Sequence, residues 1–104
     1  MATIIVLFNL KSGVSKSDYE AWAKNTDLKI VRKLESIDRF DVFESLGLLG
    51  SDVPPPYEYV ELLEVNDMDI FGKETSTETM ASVASQFQGL ADNPLFMMTK
   101  NIED

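Results

Sequence analysis

At 104 residues, 44% hydrophobic and 26% charged, the chain has room for one core and the composition of a folded domain rather than a disordered one. Nine basic against eighteen acidic residues leave a net charge of −9, which repels phosphate backbones and anionic headgroups and excludes nucleic acid and membrane surfaces as natural partners. With no cysteine and no histidine there is no disulfide, thiolate nucleophile, imidazole metal site or Ser–His relay, so chemistry falls to Asp, Glu, Tyr, Lys, Arg, Asn or a bound cofactor.

The chain opens with "TIIVLFNL", Thr3 to Leu10, a nearly continuous apolar run that predicts a strand covered on both faces. Its uninterrupted apolar part, Ile4 to Phe8, is far shorter than the roughly 20 residues that span a bilayer. No basic segment followed by an apolar one opens the chain, so a cytoplasmic protein is expected. Gly13 breaks the strand, and Ser15 with Asp18 three residues on is a weak capping box for a helix carrying Tyr19, Trp22, Ala23 and Thr26. Asp27 is expected to cap a second short turn that points Leu28, Val31 and Leu34 inward.

Period-two alternation over Ser36 to Gly47 predicts a second strand, with Phe40 and Val42 on one side and Arg39, Asp41 and Phe43 on the other. Pro54, Pro55 and Pro56 make the next stretch a loop, because proline neither donates to a ladder nor continues a helix. A third strand, "PYEYVELLEV", follows from Pro56 to Val65, and Asp67 caps a short turn ending near Gly72. Thr75 and Glu78 form a T-x-x-E box for a helix with Met80, Val83, Ala84, Phe87, Leu90 and Ala91 at helical spacing. Pro94 is expected to stop it, and Leu95 to Ile102 reads as the last strand.

The resulting order, βαββαβ, predicts an α+β ferredoxin-like sandwich: a four-stranded antiparallel sheet with both helices on one face, in a single domain spanning residues 1–104. The other face needs a cover, and a second copy of the chain supplies it, closing two sheets into a dimeric α+β barrel. No calcium loop is formed by Asn66, Asp67 and Asp69, which lack the required Gly and bidentate Glu spacings, so no metal is expected. No glycine-rich phosphate loop is present either, and no cofactor is expected.

Three motifs are distinctive: Asp18-Tyr19-Glu20-x-Trp22 on a helix, Pro56-Tyr57-x-Tyr59-x-Glu61 on a strand, and Ala91-Asp92-Asn93-Pro94 before the last strand. With their flanking segments, "FNLKSGVSKSDYEAWAKNTDLKIVRKLESIDRFDVF", "PPPYEYVELLEVNDMDIFG" and "QFQGLADNPLFMMTKNIED", they resemble the REDY-like family, also called the HapK family. The resemblance leaves out the first seven residues and the stretches 44–53 and 73–85. It implies a dimeric α+β barrel belonging to prodigiosin-type tripyrrole pigment biosynthesis, acting on the bipyrrole side. It implies no catalytic residue set, and the wider barrel superfamily hosts oxygenases, cyclases, isomerases and haem-degrading enzymes, so fold alone does not fix the reaction. The haem branch depends on a ligating His that this chain lacks.

Candidate site residues come from strand alternation. Tyr57, Tyr59, Glu61 and Leu63 share a face opposite Glu58, Val60, Leu62 and Glu64. Setting Val60 and Leu62 beside Ile4, Val6 and Phe8 on the dry barrel side sends Asn9, Arg39, Asp41 and Phe43 to the face of Tyr59 and Glu61. Tyr19, Trp22 and Phe87 would roof that face, with Trp22 directed at the sheet. Glu61 is the candidate general acid or base, with Tyr59 and Asn9 as hydrogen-bond donors and Tyr57 among the lining residues. Two readings stand side by side: an ion pair of Glu61 with Arg39 that fixes strand register, or a polar-floored pocket for a pyrrole-type ligand. In the second, the chain either promotes a cofactor-free condensation, dehydration or cyclisation, or carries an intermediate and stabilises a pathway enzyme without catalysis.

Overall fold

The computed structural model describes residues 1–103. Its strands are β1 (Ala2–Leu10), β2 (Ile37–Glu44), β3 (Tyr59–Val65) and β4 (Ala91–Thr99), joined in one antiparallel sheet of order β2-β3-β1-β4. The two apolar strands β1 and β3 are therefore central, as their composition demands. Helices α1 (Lys16–Trp22), α2 (Leu28–Val31), α3 (Met68–Thr75) and α4 (Glu78–Leu90) complete the fold. Among the described residues no helix is long and apolar enough to cross a membrane.

Local chemistry explains the boundaries. Ser15 Oγ accepts from the Asp18 amide and starts α1, and Asp67 accepts from the amides of Asp69 and Ile70 to start α3. The third helix runs past Gly72 to Thr75, so Thr75 is not the cap of the next one. Its hydroxyl donates back to Phe71 O, and Thr77 caps α4 instead, accepting from the Met80 amide. Pro94 does not end α4: the chain turns extended at Ala91, and Pro94 lies inside β4. A bulge accommodates it. Between the pairs Leu7–Leu95 and Asn9–Asp92, β4 spends one residue more than β1, and Asn93 takes a positive φ of 44° that asparagine tolerates.

Between α1 and α2 the helix continues through a π turn, Ala23–Asp27. The inward residues Tyr19, Ala23, Asp27 and Val31 are all buried and recur every fourth position. In an ideal α-helix such a row drifts by about 40° per step. The wider π turn takes up this drift and holds the four side chains on one face. Asp27 is consequently not a cap, as its spacing had predicted; it makes no capping hydrogen bond and is turned into the protein.

Register fixes the two faces of the sheet. Phe8 pairs with Tyr59, Val6 with Glu61 and Ile4 with Leu63, while Glu61 faces Val42 and Leu63 faces Phe40 on β2. Directly opposed residues share a face. The face under the helices thus carries Ile4, Val6, Phe8, Phe40, Tyr59, Glu61 and Leu63, nearly all of them core. The opposite face carries Ile5, Leu7, Val60, Leu62, Phe43, Leu95 and Met97, with the last pair and Phe43 exposed. This reverses the expected parity of β1 and β2 against β3: Val60 and Leu62 lie on the open face, away from Ile4, Val6 and Phe8.

Candidate ligand-binding site

Three polar side chains meet beneath the helices. Glu61, at 5% exposure, projects from the centre of β3 with its only side-chain hydrogen bond among the described residues a long one, from the Tyr19 hydroxyl at 3.5 Å. Tyr19 is fully buried on α1. Asp27, also 5% exposed, comes in from the π turn and forms no side-chain hydrogen bond among the described residues.

Electrostatics follow from that seclusion. Burial and the nearby Asp27 charge push the Glu61 carboxyl up to about 8, with the Tyr19 hydrogen bond opposing weakly. Burial alone pushes Asp27 up to about 7. The Tyr19 hydroxyl is raised far above its ordinary value, by burial and then by the two carboxyl groups. At neutral pH Glu61 keeps, and Asp27 keeps in part, a proton that a carboxyl group in water would have shed, the state from which a carboxylic acid donates.

Glu61 and Asp27 open into a cavity of about 140 Å³ between the sheet and the helices α2, α3 and α4. Its walls are apolar: Val31, Phe40, Leu63, Phe71, Val83 and Phe87. Phe96 of β4, 60% exposed, lines it from the side of the mouth and sits edge-on to Phe87 at 6.3 Å between centroids. A second hollow of about 120 Å³ lies where Tyr19 and Tyr59 meet Leu28 and Val42, rimmed by Glu20 and Glu44.

The structure gathers some of the predicted site residues and separates others. Glu61 and Phe87 line the cavity, and Tyr19, which lines the second hollow, reaches Glu61 through its hydroxyl. Tyr59 is buried beside them, its ring 4.7 Å from that of Tyr19, but its hydroxyl donates to Glu20 at 2.8 Å and lines the second hollow. Trp22 is half-buried over Phe87, 6.3 Å between rings, and its indole N–H donates to Gln86 at 2.7 Å. It clamps α1 to α4 above the core rather than lining the cavity. Acrylamide should therefore quench its emission less than that of free tryptophan, and Gln86→Ala should raise the quenching; free-tryptophan behaviour in the unmodified chain would contradict this packing.

Five residues belong elsewhere. Arg39 does not meet Glu61: it pairs with Asp41 at 2.6 Å and Glu64 at 3.7 Å on the open face, where Phe43 also lies. Arg32 joins Asp41 at 3.0 Å from the end of α2. These half-exposed bonds hold Arg39 protonated and Asp41 below the usual carboxylate range. Asn9 closes the proline loop, donating to Pro56 O and accepting from the Glu58 amide. Tyr57 precedes β3 and lines neither hollow. Asp27 is the site residue that sequence reading missed, because only the π turn brings it inward.

Comparison with known proteins follows the same lines. The family described as "REDY-like protein HapK" matches residues 2–102. Among solved structures the chain is similar to HapK from Hahella chejuensis, at 27% identity and a TM-score of 0.76 over 100% of this chain and 95% of that one. The hydroxynitrile lyase from Passiflora edulis superposes with a TM-score of 0.80 at 12% identity, covering 97% of this chain and 94% of that one. A dimeric ferredoxin-like protein of unknown function from Thermobifida fusca gives 0.74 at 12% identity, covering 96% and 90%. The last two establish the ferredoxin-like fold and nothing more. No curated protein matches the chain.

Proposed function

The chain belongs to the REDY-like HapK family, and from that premise we propose that it serves a prodigiosin-type pigment pathway by binding a pyrrole-class intermediate beside Glu61. Membership suggests a role in a biosynthetic pathway; the pyrrole ligand and the chemistry are our reading. The observation that carries it is a buried, protonatable carboxyl facing a ring-sized apolar cavity with no basic partner. A cavity of about 150 Å³ is known to accept a benzene-sized ring, and this one, at about 140 Å³, is of that size. It takes one pyrrole ring of a bipyrrole, and the second extends past Phe96 at the mouth. Glu61 then acts as the acid that protonates a carbonyl or departing hydroxyl in a condensation or dehydration, with Tyr19 holding its carboxyl in place.

The working unit in this reading is a homodimer. The sheet face of Ile5, Leu7, Val60 and Leu62 lacks a covering layer among the described residues, and the Thermobifida fusca structure of this fold is described as dimeric.

The test is turnover with purified protein and a bipyrrole aldehyde plus a pyrrole partner. Wild-type protein should bind the aldehyde and accelerate condensation, and Glu61→Gln should bind with similar affinity and lose at least about a hundredfold in rate. Binding without acceleration in either form would overturn the catalytic role and leave a carrier. Absence of binding would overturn the site.

A further inference from the structure

The role proposed for Glu61 leaves Asp27 unused. Asp27 is buried, aimed into the cavity and without a hydrogen-bond donor among the described residues. No Lys or Arg lines the cavity; its one other polar side chain, Gln88, belongs to an exposed residue at the α4 side. The guanidinium groups of Arg32 and Arg39 are engaged with Asp41 instead. A largely buried acceptor whose oxygens meet only the cavity is costly, and a second carboxyl group on the same cavity raises that cost by repulsion. What the two carboxyl groups lack, among the described residues, is a close donor beyond the Tyr19 hydroxyl and any positive charge.

We infer that Asp27 and Glu61 together hold a planar, ring-sized ligand through a cationic N–H group of the amidinium, iminium or protonated N-heterocycle class. The inference rests on the cavity being the binding site and adds the chemistry of what it recognises. The cation brings donors to both carboxyl groups, and its charge offsets the repulsion that keeps them from ionising together. The flat apolar body packs against Phe40, Leu63 and Phe87. The groups facing the pair are the Tyr19 hydroxyl from α1, apolar side chains from β2, α2, α3 and α4, and the uncharged Gln88 of α4, so no other charge of the lining competes. Binding of such a cation ionises the pair and releases protons, whereas the neutral aldehyde of the proposed reaction leaves Glu61 protonated and able to donate.

Benzamidinium, its neutral isostere benzamide, and toluene as the bare ring are titrated by calorimetry at pH 7 in buffers of different ionisation enthalpy. Benzamidinium should bind at least about tenfold more tightly than either neutral compound, with net proton release. Asp27→Asn and Glu61→Gln should each remove about that tenfold, while Asp52→Asn on the exposed loop should not. Equal affinity of all three compounds, unchanged by Asp27→Asn, would overturn the inference and leave the cavity as a binding site. Equal weakening by Asp52→Asn and Asp27→Asn would reduce the effect to diffuse attraction by the net negative charge and overturn it too. No binding by any of the three would bring down both the cavity reading and the inference. If Asp27→Asn fails to fold, proton release by the unmodified protein decides, and none would overturn the inference.

Discussion

Raising the pH from about 5 to about 9 should remove several kcal/mol of folding stability, and Glu61→Gln should restore much of it. The unfolded chain sheds these protons near the ordinary values of 4.5 for Glu61 and 3.8 for Asp27. The folded protein retains them until about 8 and about 7. In the interval the native state binds more protons than the unfolded one, so stability falls as pH rises. Each group contributes a slope of about 1.4 kcal/mol per pH unit while only its unfolded form is ionised. The contribution is fully present in acid and gone above about pH 8. Glu61→Gln is neutral at every pH and should be more stable than wild type by about 2–4 kcal/mol at pH 8.5, yet within about 1 kcal/mol of it at pH 4. Asp27→Asn should flatten the lower part of the profile, and the double variant reports the background from surface repulsion. Urea titrations across pH decide. An ion pair with Arg39 would give the reverse, with Glu61→Gln destabilising at pH 8.5, and that result would defeat the burial argument.

Much of this architecture was legible because it rests on local chemistry. The alternation of β3 is visible in Tyr59, Glu61, Leu63 and Val65, which are all buried. Ser15 and Asp67 announce their helices with side chains that cannot easily serve the interior. Thr75 misled because two threonines lie within reach of Glu78, and only the length of α3 settles which one caps. Facing was less accessible. Ile4, Ile5, Val6 and Leu7 are all apolar, so β1 offers no internal sign of which parity meets the helices; its register with β3 supplies that. The error then propagated, placing Arg39, Asp41 and Asn9 beside Glu61 when only Glu61 itself points inward. Asp27 was hidden for a different reason. A four-residue row of buried positions fits no ideal helix, and the π turn that accommodates it leaves no mark in periodicity. Glu61 survives as the candidate because an acidic residue among core positions is conspicuous whichever partner it is assigned.

The open face of the sheet should hold two copies of the chain together, and Val60→Asp with Leu62→Asp should separate them. Val60 lies between Leu7 and Phe43, and Leu62 between Ile5 and Asp41, at the centre of the face. Both are only half-buried within one chain, so carboxylates there remain reachable by water in the isolated protomer and should leave the far-UV circular dichroism unchanged. In a two-fold dimer each substitution occurs twice and is desolvated by the partner. Placing an unpaired carboxylate in such an interface costs several kcal/mol, and the like charges repel as well. Each 1.4 kcal/mol is a factor of about ten in dissociation, so dissociation should strengthen by at least about a thousandfold, enough to bring a micromolar sample to monomer. The salt cluster of Arg39, Asp41 and Glu64 edges the same face and gives it a polar rim around an apolar centre. Removing one rim charge, as in Arg39→Gln, should weaken the dimer by about tenfold or less, because exposed pairs contribute little. Sedimentation equilibrium on the three proteins measures all of this. A monomeric wild type at micromolar concentration would sink the assembly, whereas a double variant that stays dimeric would move the interface to another surface.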